Sequence, residues 1–238
     1  MRALPDYWLT RPPFHLDERT RAAFDAQLAA LTQATECQTI RFEWPVPKWQ
    51  FLSYAVEHAE IVLHGTGDPA ITCFEPRQAD DLDTFGNQKA IYAATDGIWP
   101  IFFAIVDRVR FAMSINNSCI RVADHAGALH GPFYLFSISQ SALVHQPWRT
   151  GTVYLLPRAT FVPQEPKQVD AAQVHIAQLA SPVAVQPLAK LTVTPQDFPF
   201  LADIRGHDDQ RMEAYVAAMQ RGDPWPDDPH VANPSSNR

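Results

Sequence analysis

Glycine, cysteine and excess positive charge are all scarce in this chain, and each scarcity closes off a class of protein. Only 9 glycines stand against 21 prolines in 238 residues. Proline lacks an amide donor and fixes φ, so this ratio points to many short strands, edge positions and ordered loops rather than long helices. The three cysteines, Cys37, Cys73 and Cys119, are odd in number and show no CxxC spacing. A disulfide framework and a zinc site are therefore both unsupported. The formal net charge of −7 excludes an extended nucleic-acid face of clustered Lys and Arg, while leaving room for a local basic pocket. No apolar run reaches the roughly 18 residues that crossing a bilayer needs, and the opening MRALPDYWLTRPPF lacks the apolar stretch of a secretory signal. A cytoplasmic chain without a membrane span is the expectation. Also missing are GxSxG, HExxH, a Walker loop and GxGxxG, so four common chemistries lose their sequence signature. His58, His64, His125, His130 and His145 are scattered rather than spaced as metal ligands. No internal repeat is present.

What is there reads as an ordinary globular protein, 46% hydrophobic and 11% aromatic, long enough to bury a sizeable core. Residues 1–13 are punctuated by proline and should lie extended over a neighbour. An amphipathic helix is expected over 17–33, where Phe24, Leu28 and Leu31 recur at helical spacing behind early acids. Residues 39–46, TIRFEWPV, alternate like a strand, and 48–58 reads as a second helix. Strands are expected at 119–124, 132–138 and 152–162, with one or two more in 181–198. A last helix falls at 208–220, stopped by Arg221-Gly222. The expected organisation is an N-terminal extension with a helix (1–46), a core (47–165), C-terminal strands and a helix packed on that core (166–222), and a disordered tail (223–238).

The centre of interest is 61–104. Ile61-Val62-Leu63 and Ala90-Ile91-Tyr92 are brief branched or aromatic runs bounded by breakers, the pattern of buried strands. The first ends in His64-Gly65-Thr66 and the second in Tyr92-Ala93-Ala94-Thr95-Asp96, so an imidazole and a phenol are expected to face one cleft. Asp96 is placed to cap a following helix whose first turn tolerates Pro100, with Ile98, Ile101, Phe102 and Ile105 toward the core. The polar stretch between Thr66 and Lys89 is a long loop beside strand ends, where binding residues concentrate. Taken singly, His64 and Tyr92 also suit structural roles, as a satisfied strand-end polar group and a packing ring.

The order of an apolar strand ending in HGT, a loop, aliphatic-Tyr-Ala-Ala-Thr-Asp, and a helix carrying Phe102-Phe103-Ala104 resembles the diphtheria-toxin-like and poly(ADP-ribose)-polymerase-like ADP-ribosyltransferases. The HGT strand is also similar to that of the RNA 2′-phosphotransferases. The resemblance covers about residues 60–105 and extends loosely to 160. It implies an α+β fold with a split, mostly antiparallel sheet and flanking helices, and NAD as a substrate.

The resemblance also implies roles. His64 would hydrogen-bond the nicotinamide-side ribose, and Gly65 would bring its backbone to the carboxamide. Tyr92 would stack on the nicotinamide ring with Phe103 as a second wall. Thr66 would fix the turn or touch the adenosine-side ribose. A pyrophosphate wants a cation, for which Arg77 is the candidate; an ion pair with Glu75 or the Asp80–Asp83 acids is its competing role. The polymerase-like pattern has a glutamate before a Tyr-aliphatic pair on a third strand, where Gly151-Thr152-Val153-Tyr154 offers Val153. Chain elongation is then not expected, and Gln164 or Glu165 are the groups left to bend back as a catalytic substitute.

The expected activity is that of a mono-ADP-ribosyltransferase or NAD glycohydrolase, with a protein, nucleic-acid or small-molecule acceptor. The alternatives are an inactive module binding NAD, ADP-ribose or a protein, and an RNA 2′-phosphotransferase-like enzyme. The acidic charge and the lack of a basic set beyond Arg77 and Arg108 weigh against the last.

Overall fold

A computed structural model describes residues 4–79, 84–169 and 172–226. Its centre is the Ile61–Thr66 strand of an eight-stranded sheet. This strand runs antiparallel to Gly151–Pro157 along its whole length, from Ile61 opposite Pro157 to Thr66 opposite Thr152. On the other side it meets Lys89–Ala94 at one position, Leu63 opposite Ala94. Beyond Gly151–Pro157 lie Ala189–Val193, antiparallel, and Gln38–Thr39, parallel to it. Beyond Lys89–Ala94 lie Gln178–Ser181 and the edge pair Val162–Pro163.

The other sheet has six strands and is built on the long antiparallel pair Ile115–Ala123 and Leu129–Ser139. Ala172–Ile176 and Lys167–Val169 extend it on one side. On the other, Leu9–Thr10 and Arg205–His207 share the outer edge of Leu129–Ser139. The N-terminal arm thus lies extended over a neighbour, as its prolines imply. The fold is α+β and mostly antiparallel with flanking helices, as expected.

The helix Trp99–Ile105 locks the two sheets together. Asp96 caps it, its Oδ1 accepting from the Ile98 and Trp99 amides at 2.8 Å each, while Oδ2 accepts from the Tyr134 hydroxyl of the six-stranded sheet at 2.7 Å. A carboxylate taken out of water must be fully hydrogen-bonded to be tolerated, and these three donors meet that need. Ile98, Ile101, Phe102 and Ile105 are all fully buried, each contributing about 1.5–3 kcal/mol of burial. Pro100 sits in the first turn. The helix passes so close to the sheet that a Cβ on Gly65 would lie 1.7 Å from the Pro100 carbonyl oxygen. Gly65 is therefore glycine for packing, whatever else its backbone does.

The helices Glu18–Gln33 and Lys48–His58 form where periodicity placed them, the first capped by Asp17 accepting from the Thr20 amide at 2.7 Å. Residues 39–46 correct the expectation. Only Gln38–Thr39 joins a sheet, because the aromatic alternation serves a ring cluster: Trp44 stacks on Phe51 at 5.2 Å and meets Phe24 and Phe42 edge-on. The strand expected to run to 162 ends at Pro157 in a short 3-10 turn, Arg158–Thr160. The segment 166–222 does not pack on a finished core. Gln178–Ser181 and Ala189–Val193 lie within the eight-stranded sheet, so its hydrogen bonding needs strands from both sides of residue 166. The last helix runs Met212–Arg221 and stops at Gly222. Of the tail expected to be disordered, Trp225 packs on Tyr7 and Tyr215; residues 227–238 lie outside the described residues, as do Asp80, Asp81 and Asp83 of the polar loop.

Candidate active site

Strands Ile61–Thr66 and Lys89–Ala94 each have six residues, yet their ladder ends after Leu63 and Ala94. Past that point they diverge. A sheet that opens between neighbouring strands leaves backbone groups needing partners, and here a side chain supplies one: His64 Nδ1 lies 2.7 Å from the Tyr92 carbonyl oxygen. A carbonyl only accepts, so Nδ1 carries the proton and the neutral ring presents Nε2 as an acceptor. Among the described residues Nε2 has no hydrogen-bond partner. Burial pushes the imidazole below its ordinary pKa of 6.5 and outweighs the opposing Tyr92 bond, so the ring is neutral at pH 7.

The notch so formed is a slot of ≈ 120 Å³. Tyr92, Trp99 and Phe103 give it aromatic walls, and His64, Gly65 and Gln178 give it polar edges. Tyr92 is held at its far end, where its hydroxyl donates toward the Phe85 and Gln88 carbonyls at 3.1 Å each and accepts from the Gln88 amide at 2.9 Å. Trp99 is fixed by its indole N–H, which donates to Asn117 Oδ1 of the six-stranded sheet at 2.6 Å. Phe103 is left at the mouth, 37% exposed beside Trp99. Two of the walls are thus preorganised, and one stands at the entrance.

A second compartment of ≈ 350 Å³ shares Gly65 and Phe103 with the slot. It is lined by Thr66, Gly67, Arg108 and Arg149. Arg149 lies against Gly67 so closely that a Cβ there would be 1.9 Å from its guanidinium carbon. Its Nη1 is 3.7 Å from Oδ1 of buried Asp107, and its Nε donates to the Ala104 carbonyl at 3.4 Å.

The structure brings together His64, Gly65, Tyr92 and Phe103 as the sequence implied, and places Thr66 next door. Thr66 fixes the turn, its hydroxyl accepting from the Asp68 amide at 3.2 Å. Three expectations are corrected. Arg77 is exposed on a two-residue strand paired with Lys89 and Ala90 and lines neither compartment, so the cations near the slot are Arg149 and Arg108 instead. Gln164 is buried at the sheet edge, its amide donating to the Gln178 carbonyl at 3.0 Å, and lines neither compartment; the group at the slot from that region is its neighbour Gln178. Val153 is fully buried in the main core with Leu63, Leu155 and Leu191. Its register partner is Gly65, so it shares the face that the helix covers, and an acid there would be sealed from the slot. Sequence reasoning missed Trp99, Gln178 and Arg149. Trp99 was the findable one, since it begins the helix that Asp96 announces.

No carboxylate is among the described residues lining the slot or its neighbour. The arrangement can hold a flat ring between aromatic walls, accept a hydroxyl proton at His64 Nε2, and place a positive field beside them. No protein family, curated protein or solved structure matches the chain.

Proposed function

We propose that this chain is an NAD-using mono-ADP-ribosyltransferase or NAD glycohydrolase, cleaving the nicotinamide–ribose bond. The observation that supports it best is the splayed strand pair, which puts an aromatic-walled slot against an imidazole whose tautomer leaves Nε2 as an acceptor. In this reading nicotinamide fills the slot between Tyr92 and Phe103, and Nε2 accepts a hydrogen bond from a hydroxyl of the attached ribose. When the C–N bond breaks, the ring leaves with the bonding pair as neutral nicotinamide and the positive charge passes to the ribose. The acceptor, or water, adds its lone pair to that carbon and gives its proton to solvent. The residues orient and exclude water. None is asked to become a covalent nucleophile.

The test is nicotinamide release from NAD by the full chain. Folded His64→Ala and Tyr92→Ala variants should each lose about two orders of magnitude, the scale on which misplacing a substrate costs rate. Absence of release at every NAD concentration ends the catalytic reading.

A second reading, a module that binds NAD or ADP-ribose without chemistry, is favoured by the place of Val153 in the core, with no carboxylate among the described residues that line the slot. Calorimetric binding of NAD with no nicotinamide released selects it.

A further inference from the structure

The two most exposed large hydrophobic side chains among the described residues are Val109, 85% exposed, and Val144, 64% exposed. They stand on adjoining turns. The first, residues 108–110, follows the helix Trp99–Ile105 and is shaped by Asp107, whose Oδ1 accepts from the Arg110 amide at 3.1 Å and whose carbonyl accepts from the Phe111 amide at 3.2 Å. The second follows the one-turn helix Gln140–Leu143, where the His145 amide donates to the Ala142 carbonyl at 3.0 Å. Two contacts join them: the Asp107 amide donates to the Pro147 carbonyl at 2.8 Å, and the Phe111 and His145 rings lie 6.1 Å apart and nearly parallel. Val109 is thus held out to solvent by a turn whose backbone bonds are made. Charge is distributed to match. Arg108 and Arg110 flank Val109, both exposed and neither with an ion-pair partner among the described residues; Arg110 lies over the Phe111 ring at 5.6 Å. Residues 108–115 and 140–151 contain no Asp or Glu, in a chain whose formal charge is −7. The carboxylates that touch these segments are occupied, Asp107 by the Arg110 amide and Arg149, and Asp209 by the Ser114 and Ser139 hydroxyls.

We propose that these two turns form a docking tip for an anionic lipid surface. No helix of the described residues is long and apolar enough to cross a bilayer, so the contact is peripheral. Val109 and Val144 enter the boundary between headgroups and acyl chains, where apolar side chains gain by leaving water, while the guanidiniums of Arg108 and Arg110 stay at headgroup level. The net charge of the chain does not prevent this. Screening confines charge interactions to about 8 Å at physiological ionic strength, so a bilayer meets the acid-free tip and not the whole molecule. A partner protein would need a pocket for each protruding valine, and a second copy docked symmetrically would set arginine against arginine. A fluid bilayer needs no pocket and supplies the opposite charge. Arg108 also lines the compartment beside the slot, so a chain held by these turns has that compartment next to the bilayer. The inference does not rest on the proposed activity, since its probe contains no dinucleotide.

The test is flotation of the full chain with vesicles of equal parts phosphatidylserine and phosphatidylcholine, beside vesicles of phosphatidylcholine alone. Binding is expected to the first and not to the second, and should weaken as salt rises. Val109→Asp should weaken it about tenfold or more, because a charge replaces the side chain that enters the boundary. Val144→Asp should have a smaller effect in the same direction. Arg108→Ala and Arg110→Ala should each weaken binding about fivefold, and Arg41→Ala, at an exposed arginine beyond the edge strand Gln38–Thr39, should leave it unchanged. All five side chains are exposed, so these variants do not act through folding, and unchanged melting temperatures check that. Absence of binding to the anionic vesicles, binding indifferent to Val109→Asp, or release by inorganic phosphate matched in concentration to the lipid overturns the proposal. Self-association of the lipid-free chain that Val109→Asp abolishes assigns the tip to a second copy and also overturns it. Failure of nicotinamide release with vesicle binding intact removes the proposed function and keeps this surface.

Discussion

His64 and His207 are both histidines in short strands, and burial pushes both imidazoles below the ordinary value. They differ in how their nitrogens are used. His207 pairs in the six-stranded sheet with both nitrogens engaged: Ser137 Oγ closes on Nδ1, and Ser114 Oγ lies 2.7 Å from Nε2, with Asp209 Oδ1 3.4 Å away. His64 spends one nitrogen on the Tyr92 carbonyl, packs its ring edge-on to Phe74 at 4.9 Å, and leaves Nε2 without a partner among the described residues, in a residue that lines the slot. Ser137, His207 and Asp209 would suggest a hydrolytic triad if only residue types were read, but Ser137 and His207 are sealed from solvent. Burial with every polar atom satisfied holds a fold together, whereas burial with one acceptor left over makes a site.

The contrast can be broken most sharply by exchanging loss for loss. His64→Gln should cut nicotinamide release about a hundredfold with little change in melting temperature, while His207→Gln should leave release per folded molecule unchanged. Equal losses in the two variants would erase the distinction.

Stability gives the converse and a smaller effect. His207→Leu strands the Ser137 hydroxyl and leaves a misfit in a packed site, and should cost about 2–4 kcal/mol in a denaturant titration. His64→Leu should cost less than half of that, because only the bond to Tyr92 is lost.

Acid sharpens the comparison further. Both folded-state values are lowered, so as pH falls the unfolded chain takes up protons first. Stability is then full above the unfolded value of about 6.5, declines as pH passes from there down through the folded values, and levels off below them. Chemical denaturation at a series of pH values should show this decline, and His207→Leu should flatten part of it. Affinity for a ring-bearing ribose should fall over the His64 part of the range, since a protonated Nε2 no longer accepts a hydroxyl.

The smallest effect expected is that of Tyr92→Phe. It keeps the ring wall and loses the bonds to the turn at Phe85 and Gln88, so ligand affinity should drop by about 1 kcal/mol or less. A loss as large as that of Tyr92→Ala would mean that the hydroxyl, and not the ring, does the holding.

The legible parts of the molecule were those decided locally. Ile61–Thr66, Lys89–Ala94 and the Asp96-capped helix are short apolar segments bounded by breakers, and each formed where its pattern placed it. His64, Gly65, Tyr92 and Phe103 were legible for the same reason. Arg77, Val153 and Arg149 were not, because what decides them is register. Arg77 is turned outward by its pairing with Ala90, Val153 is turned to the core by lying opposite Gly65, and Arg149 reaches the cleft because Gly67, far away in sequence, leaves it room. The 39–46 segment alternates for its rings and not for a ladder, a distinction that no period-two pattern contains.

Near its two ends the chain is fastened at one corner. Tyr7 lies against Trp225 with ring centroids 5.5 Å apart, and Leu9–Thr10 and Arg205–His207 are stitched to one edge of the same strand. The segments around Tyr7 and Trp225 therefore lie at neighbouring points of the surface. Joining those points with a short linker and reopening the polypeptide at an exposed turn such as Asp124–Gly127 should yield a permuted protein with its cleft intact.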